Sequence, residues 1–235
     1  MSAPVSGQDA AKQAVAAAAA ALVQEGMLVG LGSGSTVRFL VDRLGERVRE
    51  EGLRFTGVPT SEATAAQARS LGIALTGPDA AIDLAIDGAD EVELGTLRLI
   101  KGLGGALLRE KIVAQLAEKF VVVADDSKLV RHLGERAPLP VEVARFGLAA
   151  TTRRIAEQGG RPVLRTAAGG GTFVTDGGNV ILDCSGFAPI RDPFTLERTL
   201  RCIAGVMETG LFVDMAGEAL IAGADGAVRR LEKAD

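Results

Sequence analysis

At 235 residues, 47% of them hydrophobic, the chain can bury one large core, or a large core with a small satellite. Its eight Phe, with no Trp and no Tyr, make that core aliphatic and offer few base-stacking platforms, and a net charge of −4 without a basic stretch argues against nucleic acid as a partner. A single His and two distant cysteines, Cys184 and Cys202, nearly exclude a zinc site of the usual kind; both thiols are expected in the core of a protein in the reducing cytoplasm, and His132 at the surface or in packing.

The alanine-rich stretch 14–23 is too short to span a bilayer, is flanked by Lys12 and Glu25, and has no basic segment before it, so no membrane partner is expected. It reads as a helix over 8–25, started by Ser6 and Asp9 and stopped by Gly26. A strand follows at 27–30, then a helix over 35–51 with Val37, Leu40, Val41, Leu44 and Val48 on one face. Next come a strand at 54–58, a helix over 62–71 capped by Ser61 and ended by Gly72, and strands near Ile73, at 83–86 and at 97–100. A helix over 106–117 leads to an apolar strand at 120–124. Alternating β and α elements predict a parallel sheet covered on both faces.

The texture changes at Ala137-Pro138-Leu139-Pro140. A strand at 141–143, a helix over 148–158 and a strand at 162–165 precede a hairpin, 172–175 with 179–182, turned by Asp176-Gly177-Gly178. Asp192 and Pro193 open a helix expected to run to Thr209 and stop at Gly210. The order β-α-β-β-α suggests a split-βαβ unit. Strands at 211–213, 219–222 and 227–231 are expected to rejoin the first sheet. The expected fold is α/β, a doubly wound Rossmann-like parallel sheet from 1–136 and 211–235, with a small inserted ferredoxin-like α+β domain over 137–210.

Three polar clusters each follow a short apolar run, and loops after the strands of such a sheet gather at one edge. Gly32-Ser33-Gly34-Ser35-Thr36 is neither a dinucleotide fingerprint nor a Walker loop, but glycines and hydroxyls at a helix start suit an anion as well as they suit an ordinary cap. Asp87 and Asp90, in Asp87-Gly88-Ala89-Asp90-Glu91, can bind sugar hydroxyls, share a proton, hold Mg²⁺, or bond their own backbone in a turn. Lys101 opens Gly102-Leu103-Gly104-Gly105, and Glu110 follows in Arg109-Glu110-Lys111, a run that elsewhere is usually a solvated helix face.

Together GLGSGSTV (30–37), TSEATAAQA (60–68), DGADEVE (87–93), KGLGGALLREK (101–111), ADDSKLV (124–130), PLPVEV (138–143), FVTDGGNVILDC (173–184) and GVMETGLF (205–212) resemble type A ribose-5-phosphate isomerases over nearly the whole chain. The resemblance implies interconversion of D-ribose 5-phosphate and D-ribulose 5-phosphate in the non-oxidative pentose phosphate pathway, without metal or organic cofactor, by a homodimer or homotetramer. By motif position it implies Ser33, Gly34, Ser35 and Thr36 as a phosphate loop, Asp87, Gly88, Ala89 and Asp90 as a sugar-binding turn, and Lys101, Gly102, Leu103 and Gly104 as a second binding segment. Glu110 takes the place of the proton-transfer base, and Lys128 and Lys12 the places of phosphate-contacting lysines. Leu103 stands where the family pattern has the middle of three glycines.

Aldose–ketose isomerisation through a cis-enediolate needs one carboxylate to serve both carbons and a cation for the oxygen. Glu110 and Lys101 fit those parts; Asp87 is expected to take the ring-hydroxyl proton and Asp90 to orient hydroxyls. A regulatory domain that binds sugar phosphate without turnover would need the anion loop but not Glu110. A deaminase or lactonase would lean on a histidine, and His132 lies outside every cluster.

Overall fold

The computed structural model describes residues 7–223 and 225–233. In chain order the first elements are α1 (Gly7–Ala20), β1 (Leu28–Leu31), α2 (Ser35–Glu51), β2 (Thr56–Pro59), α3 (Glu62–Ser70), β3 (Ala74–Leu75), β4 (Ile82–Gly88), β5 (Glu91–Glu93), β6 (Leu99–Ile100), α4 (Leu107–Leu116), β7 (Ala117–Asp125) and β8 (Leu129–Val130). The rest are β9 (Leu139–Val143), α5 (Leu148–Glu157), β10 (Arg161–Leu164), β11 (Val180–Ser185), α6 (Pro193–Arg201), β12 (Val206–Thr209), β13 (Leu211–Phe212), β14 (Glu218–Ala222) and β15 (Val228–Glu232).

The central sheet has seven strands in the order β15-β14-β7-β4-β1-β2-β3, parallel except for the edge strand β15. The alternating side chains of its strands point to two cores. Val29, Leu31, Leu84, Ile86, Val121 and Val123 pack beneath α1 and α2. Ala85, Phe120, Val122, Ala219 and Ile221 face α4, with Val113 and Ala114, and the strands around Leu99 and Phe212. Chain order runs outward from β1 through β2 to β3, then returns to β4 on β1's other side. Such a reversal leaves a crevice at the strands' carboxyl ends, where ligands bind.

The alanine-rich helix is shorter than the sequence reading. Arg47 Nη1 donates to the carbonyls of Ala20 (2.6 Å) and Val23 (2.9 Å), and this capping ends α1 at Ala20. Gly26 instead serves a turn with φ 79°, its N–H bonded to Arg54 O. Ser6 lies outside the described residues. The helix α2 matches its expected span and ends on left-handed Gly52, and Ser61 caps α3 by accepting from Thr64 N–H.

Residues 139–209 form a βαββαβ unit whose antiparallel sheet runs β10-β11-β9-β12, the ferredoxin-like order. Its fourth strand, Val206–Thr209, lies where the sequence predicts the end of a helix. Asp192 does cap α6, accepting from Thr195 N–H, but α6 stops at Arg201; Gly205, at φ 98°, turns the chain and Val206–Thr209 pairs with β9. The expected hairpin survives only as a turn at 175–179 and one isolated bridge, Val174 with Val180, because β11 pairs with β9 and β10; Thr172 bridges instead to Thr166, outside the hairpin. Cys184 is in this core, whereas Cys202 is exposed, contrary to expectation.

A third sheet, β13-β6-β5-β8, was not legible in the sequence. It draws in β13, which was expected in the central sheet, and the strand read as 97–100, which is reduced to Leu99–Ile100. Leu97 is buried in a left-handed conformation at φ 53°, which no strand can hold.

Candidate active site

Two sheets supply the site. The central sheet delivers Gly32–Thr36 after β1, Asp87–Gly88 at the end of β4 and Asp125 at the end of β7. The third sheet delivers Asp90 before β5, Lys101 after β6 and Lys128 before β8. Lysine and aspartates thus meet across a junction of sheets rather than along one rim.

The first wall is the start of α2. Its N-cap, Gly34, has φ 104° and no side chain caps the helix, so the amide end of the helix dipole faces a cleft lined by Ser33, Gly34, Ser35 and Thr36. Ser33 is committed: its hydroxyl bonds those of Thr60 and Ser61, both at 2.8 Å, and its N–H donates to Asp87 Oδ1 at 3.0 Å. Gly32 permits this approach, since a Cβ there would sit 2.1 Å from the Asp87 carboxyl carbon.

The second wall rests on a buried ionic trio, of which Lys101 and Glu110 line the cleft and Asp87 stands behind them. Asp87, Lys101 and Glu110 are 4%, 2% and 4% exposed. Lys101 Nζ lies 2.9 Å from Asp87 Oδ2 and 3.4 Å from Glu110 Oε2, and donates to Gly88 O at 2.5 Å. Asp87 Oδ1 also accepts the N–H groups of Ser33 and Gly88. Glu110 Oε2, by contrast, has an ion-pair neighbour but no aligned hydrogen bond. Two carboxylates share one ammonium, and the less well bonded one takes the proton first. Burial, then the Asp87 charge, push Glu110 from its ordinary 4.5 to about 8, against the pull of Lys101. This happens even though Glu110 sits in the first turn of α4, where the dipole favours an anion. Burial raises Asp87 as well, opposed by Lys101 and the two amides. For Lys101 burial works against the ammonium, but Asp87 and Glu110 outweigh it and hold its pKa at about 12. The Phe212 ring, 5.4 Å from Lys101 Nζ, closes the site from below.

Asp87 does not line the cleft. It faces a small buried space with Gly30, Gly32, Thr60 and Glu110, one layer behind Lys101. Asp90 is on the cleft wall, and its Oδ2 accepts the Leu103 N–H at 2.9 Å. The left-handed positions in this loop fall on Gly102 (φ 104°) and Gly105 (φ 86°), so Leu103 replaces a glycine where none is required. The Leu103 side chain is 42% exposed and off the cleft wall, and only its peptide group takes part. Among the described residues no group of three or more His, Cys, Asp or Glu is placed to hold a metal ion. Asp87, bonded to an ammonium and two amides, has the surroundings of an ion pair rather than of a metal ligand.

A family model described as ribose 5-phosphate isomerase A (phosphoriboisomerase A) matches residues 56–226. The chain belongs to the ribose 5-phosphate isomerase A family. It is 54% identical to the ribose-5-phosphate isomerase A of Synechococcus sp. (strain JA-3-3Ab), over 93% of this chain and 95% of that relative. The solved isomerase A of Methanocaldococcus jannaschii is 41% identical with a TM-score of 0.91, over 96% of this chain and 100% of the other. A D-ribose-5-phosphate isomerase solved in complex with phospho-erythronic acid is 36% identical with a TM-score of 0.91, over 95% and 98%.

Of the residues that the isomerase A resemblance singles out, the cleft gathers Ser33, Gly34, Ser35, Thr36, Gly88, Ala89, Asp90, Lys101, Gly102, Gly104 and Glu110, with Lys12 and Lys128 at its edge. Asp87 stands behind it, and the Leu103 side chain lies off its wall, exposed. Gln8 and Asp125 also line it, and neither was singled out. Asp125 belongs to ADDSKLV (124–130), one of the stretches that carry the family resemblance. Gln8 stands four residues before Lys12 on the same face of α1, so the place expected for Lys12 was the signal that could have found it. His132 is outside the cleft, 44% exposed, 3.7 Å from Glu93.

Proposed function

We propose that this chain interconverts D-ribose 5-phosphate and D-ribulose 5-phosphate through a cis-enediolate. One observation supports this above others: a buried glutamate, held near pKa 8 and short of a hydrogen bond, stands beside a permanent ammonium in a cleft that ends at an uncapped helix start. A general base is most effective when its pKa is near the working pH.

The phosphate sits at the start of α2, held by amides and by the Ser35 and Thr36 hydroxyls, with Lys12 and Lys128 closing over it. Asp90 faces the sugar. It takes the anomeric hydroxyl proton and passes it to the ring oxygen as the C1–ring oxygen bond breaks, because Asp87 is committed to Lys101; the role expected for Asp87 becomes that of fixing the ammonium. The Glu110 carboxylate removes the C2 proton and becomes the acid. Charge moves to the carbonyl oxygen, which the Lys101 ammonium stabilises. The hydroxyl proton passes from O2 to O1, and Glu110 returns its proton to C1. Lys101 stays protonated throughout, consistent with a pKa of about 12.

A sensor that binds without turnover has no use for a strained carboxylate of this kind. The test is turnover of ribose 5-phosphate by the purified chain, with exchange of the C2 proton for solvent deuterium. Both activities are expected, and both vanish in Glu110→Gln. Tight phosphate-sugar binding without exchange would favour the sensor.

We assign residues 1–136 and 211–235 to the catalytic unit and 137–210 to the small α+β unit. A homodimer or homotetramer in the cytoplasm fits the resemblance and the Phe146 side chain, which is 96% exposed. Light scattering of the purified chain gives the number of copies. No helix among the described residues is long and apolar enough to cross a membrane.

A further inference from the structure

The ferredoxin-like unit reaches the catalytic loop through Arg165 and Phe173. Arg165, just after β10, is 11% exposed and uses its guanidinium in two directions. Nε and Nη2 grip both oxygens of Asp183 on β11, at 2.9 and 2.5 Å. Nη1 donates to two successive carbonyls of the loop after Lys101, Gly102 O at 2.8 Å and Leu103 O at 3.0 Å. Phe173 stacks near the guanidinium at 5.8 Å, and its ring fills the space where a Cβ on Gly105 would be.

Peptide planarity gives this grip a consequence. In a trans peptide the C=O and the following N–H point in opposite directions. Holding the Gly102 carbonyl therefore aims the Leu103 N–H away from Arg165, and Asp90 accepts it at 2.9 Å. Holding the Leu103 carbonyl turns the Gly104 N–H the same way, at a residue that lines the cleft. Gly102 and Gly104 are conformationally free and need an external brace to keep one orientation. Only a planar fork with donors on two edges serves Asp183 and both carbonyls; a lysine ammonium does not.

We propose that Arg165, oriented by Asp183, is a positioning residue for the isomerase reaction: it holds the 102–104 peptides so that Asp90 and the loop amides meet the sugar. This makes the small unit part of the catalytic apparatus. The inference rests on the isomerase reading above.

The experiment compares Arg165→Ala, Arg165→Lys and Asp183→Asn with the parent and with Glu110→Gln. The measurements are kcat and KM on ribose 5-phosphate, the inhibition constant of inorganic phosphate, and the melting temperature. Arg165→Ala should lower kcat by about tenfold or more, in line with the effect of small misplacements in active sites. Inorganic phosphate, which reads the start of α2 with Lys12 and Lys128 and not the 102–104 peptides, should bind within about twofold of the parent. Asp183→Asn should lower kcat less, and the double variant should be no worse than Arg165→Ala, because Asp183 acts through Arg165. Arg165→Lys should recover little. A folded Arg165→Ala with parental kcat overturns the proposal. So does a loss matched by equal weakening of phosphate inhibition, which means general disruption. If Arg165→Ala does not fold, Asp183→Asn decides: it must lower kcat with phosphate inhibition unchanged, and parental kcat overturns the proposal. Glu110→Gln separates the two readings. If it is inactive while Arg165→Ala is normal, only the positioning role fails; if it turns over, the isomerase mechanism fails.

Discussion

The two walls of the cleft are made of different material. One is backbone and hydroxyl at the start of α2, without a charged side chain of its own and partly open to solvent. The other rests on three ionisable groups, Lys101 and Glu110 on the wall and Asp87 behind them, none more than 4% exposed. Amide dipoles at a helix start are fixed once the helix forms and suit an anion that does not change during the reaction. Buried ionisable groups respond strongly to any proton that moves, and so suit the chemical step. Binding and chemistry are thus separable by mutation.

The largest effect should come from breaking the second wall at its centre. Lys101→Met leaves two buried carboxylates without a counter-ion, and loss of one partner of a buried pair costs about 3–5 kcal/mol. Urea unfolding at pH 9 should show that loss, turnover should be undetectable, and the deficit should shrink at lower pH as the carboxylates protonate. A variant of parental stability at pH 9 would mean that the trio is not coupled as described.

Glu110→Gln should come next. It removes the base but keeps the shape, so kcat should fall by roughly 10²- to 10⁴-fold with little change in KM. The same variant should be more stable than the parent at high pH. The folded chain holds the Glu110 proton up to about pH 8, against 4.5 when that group is free. The stabilisation from that proton is complete below pH 4.5 and lost as pH rises through 8. The gap in melting temperature should therefore open across that window in favour of Gln. A gap that is constant with pH would contradict the raised pKa.

Effects on the first wall should be smaller and confined to binding. Ser35→Ala with Thr36→Ala should weaken inhibition by inorganic phosphate, at about 0.5–1.5 kcal/mol per hydrogen bond, and leave deuterium exchange at saturating substrate near parental. Equal losses in both would join the two walls into one functional unit. The smallest effect is none: prolonged EDTA treatment should leave turnover unchanged, and a loss restored by Mg²⁺ would place a metal at Asp90.

The first wall was legible in the sequence because it is local. Glycines and hydroxyls just before an amphipathic helix define it within seven residues, and α2 was found at its full span. The central sheet was legible for the same reason, through alternating apolar runs and helices. The second wall was legible only as three separate motifs. Nothing local says that Asp87 ends up behind Lys101, or that Glu110 leaves the solvated face its neighbours suggest; pairing of β6 with β13, remote in sequence, does that. Strands two or three residues long carry no periodicity, so β5 and β8 were missed, and the strands expected at 97–100 and 211–213 could not be joined into a third sheet. Val206–Thr209 misled for a related reason: its apolar residues continue the pattern of α6, and only Gly205 marks the break.

The central claim is that burial beside Asp87 makes Glu110 a base poised near neutral pH. A ¹³C NMR titration of the Glu110 side-chain carboxyl in the ligand-free protein, assigned by its absence in Glu110→Gln, tests this most directly. The predicted midpoint is about 8, with a small coupled step as Asp87 responds. A single step at the ordinary 4.5 would contradict the account.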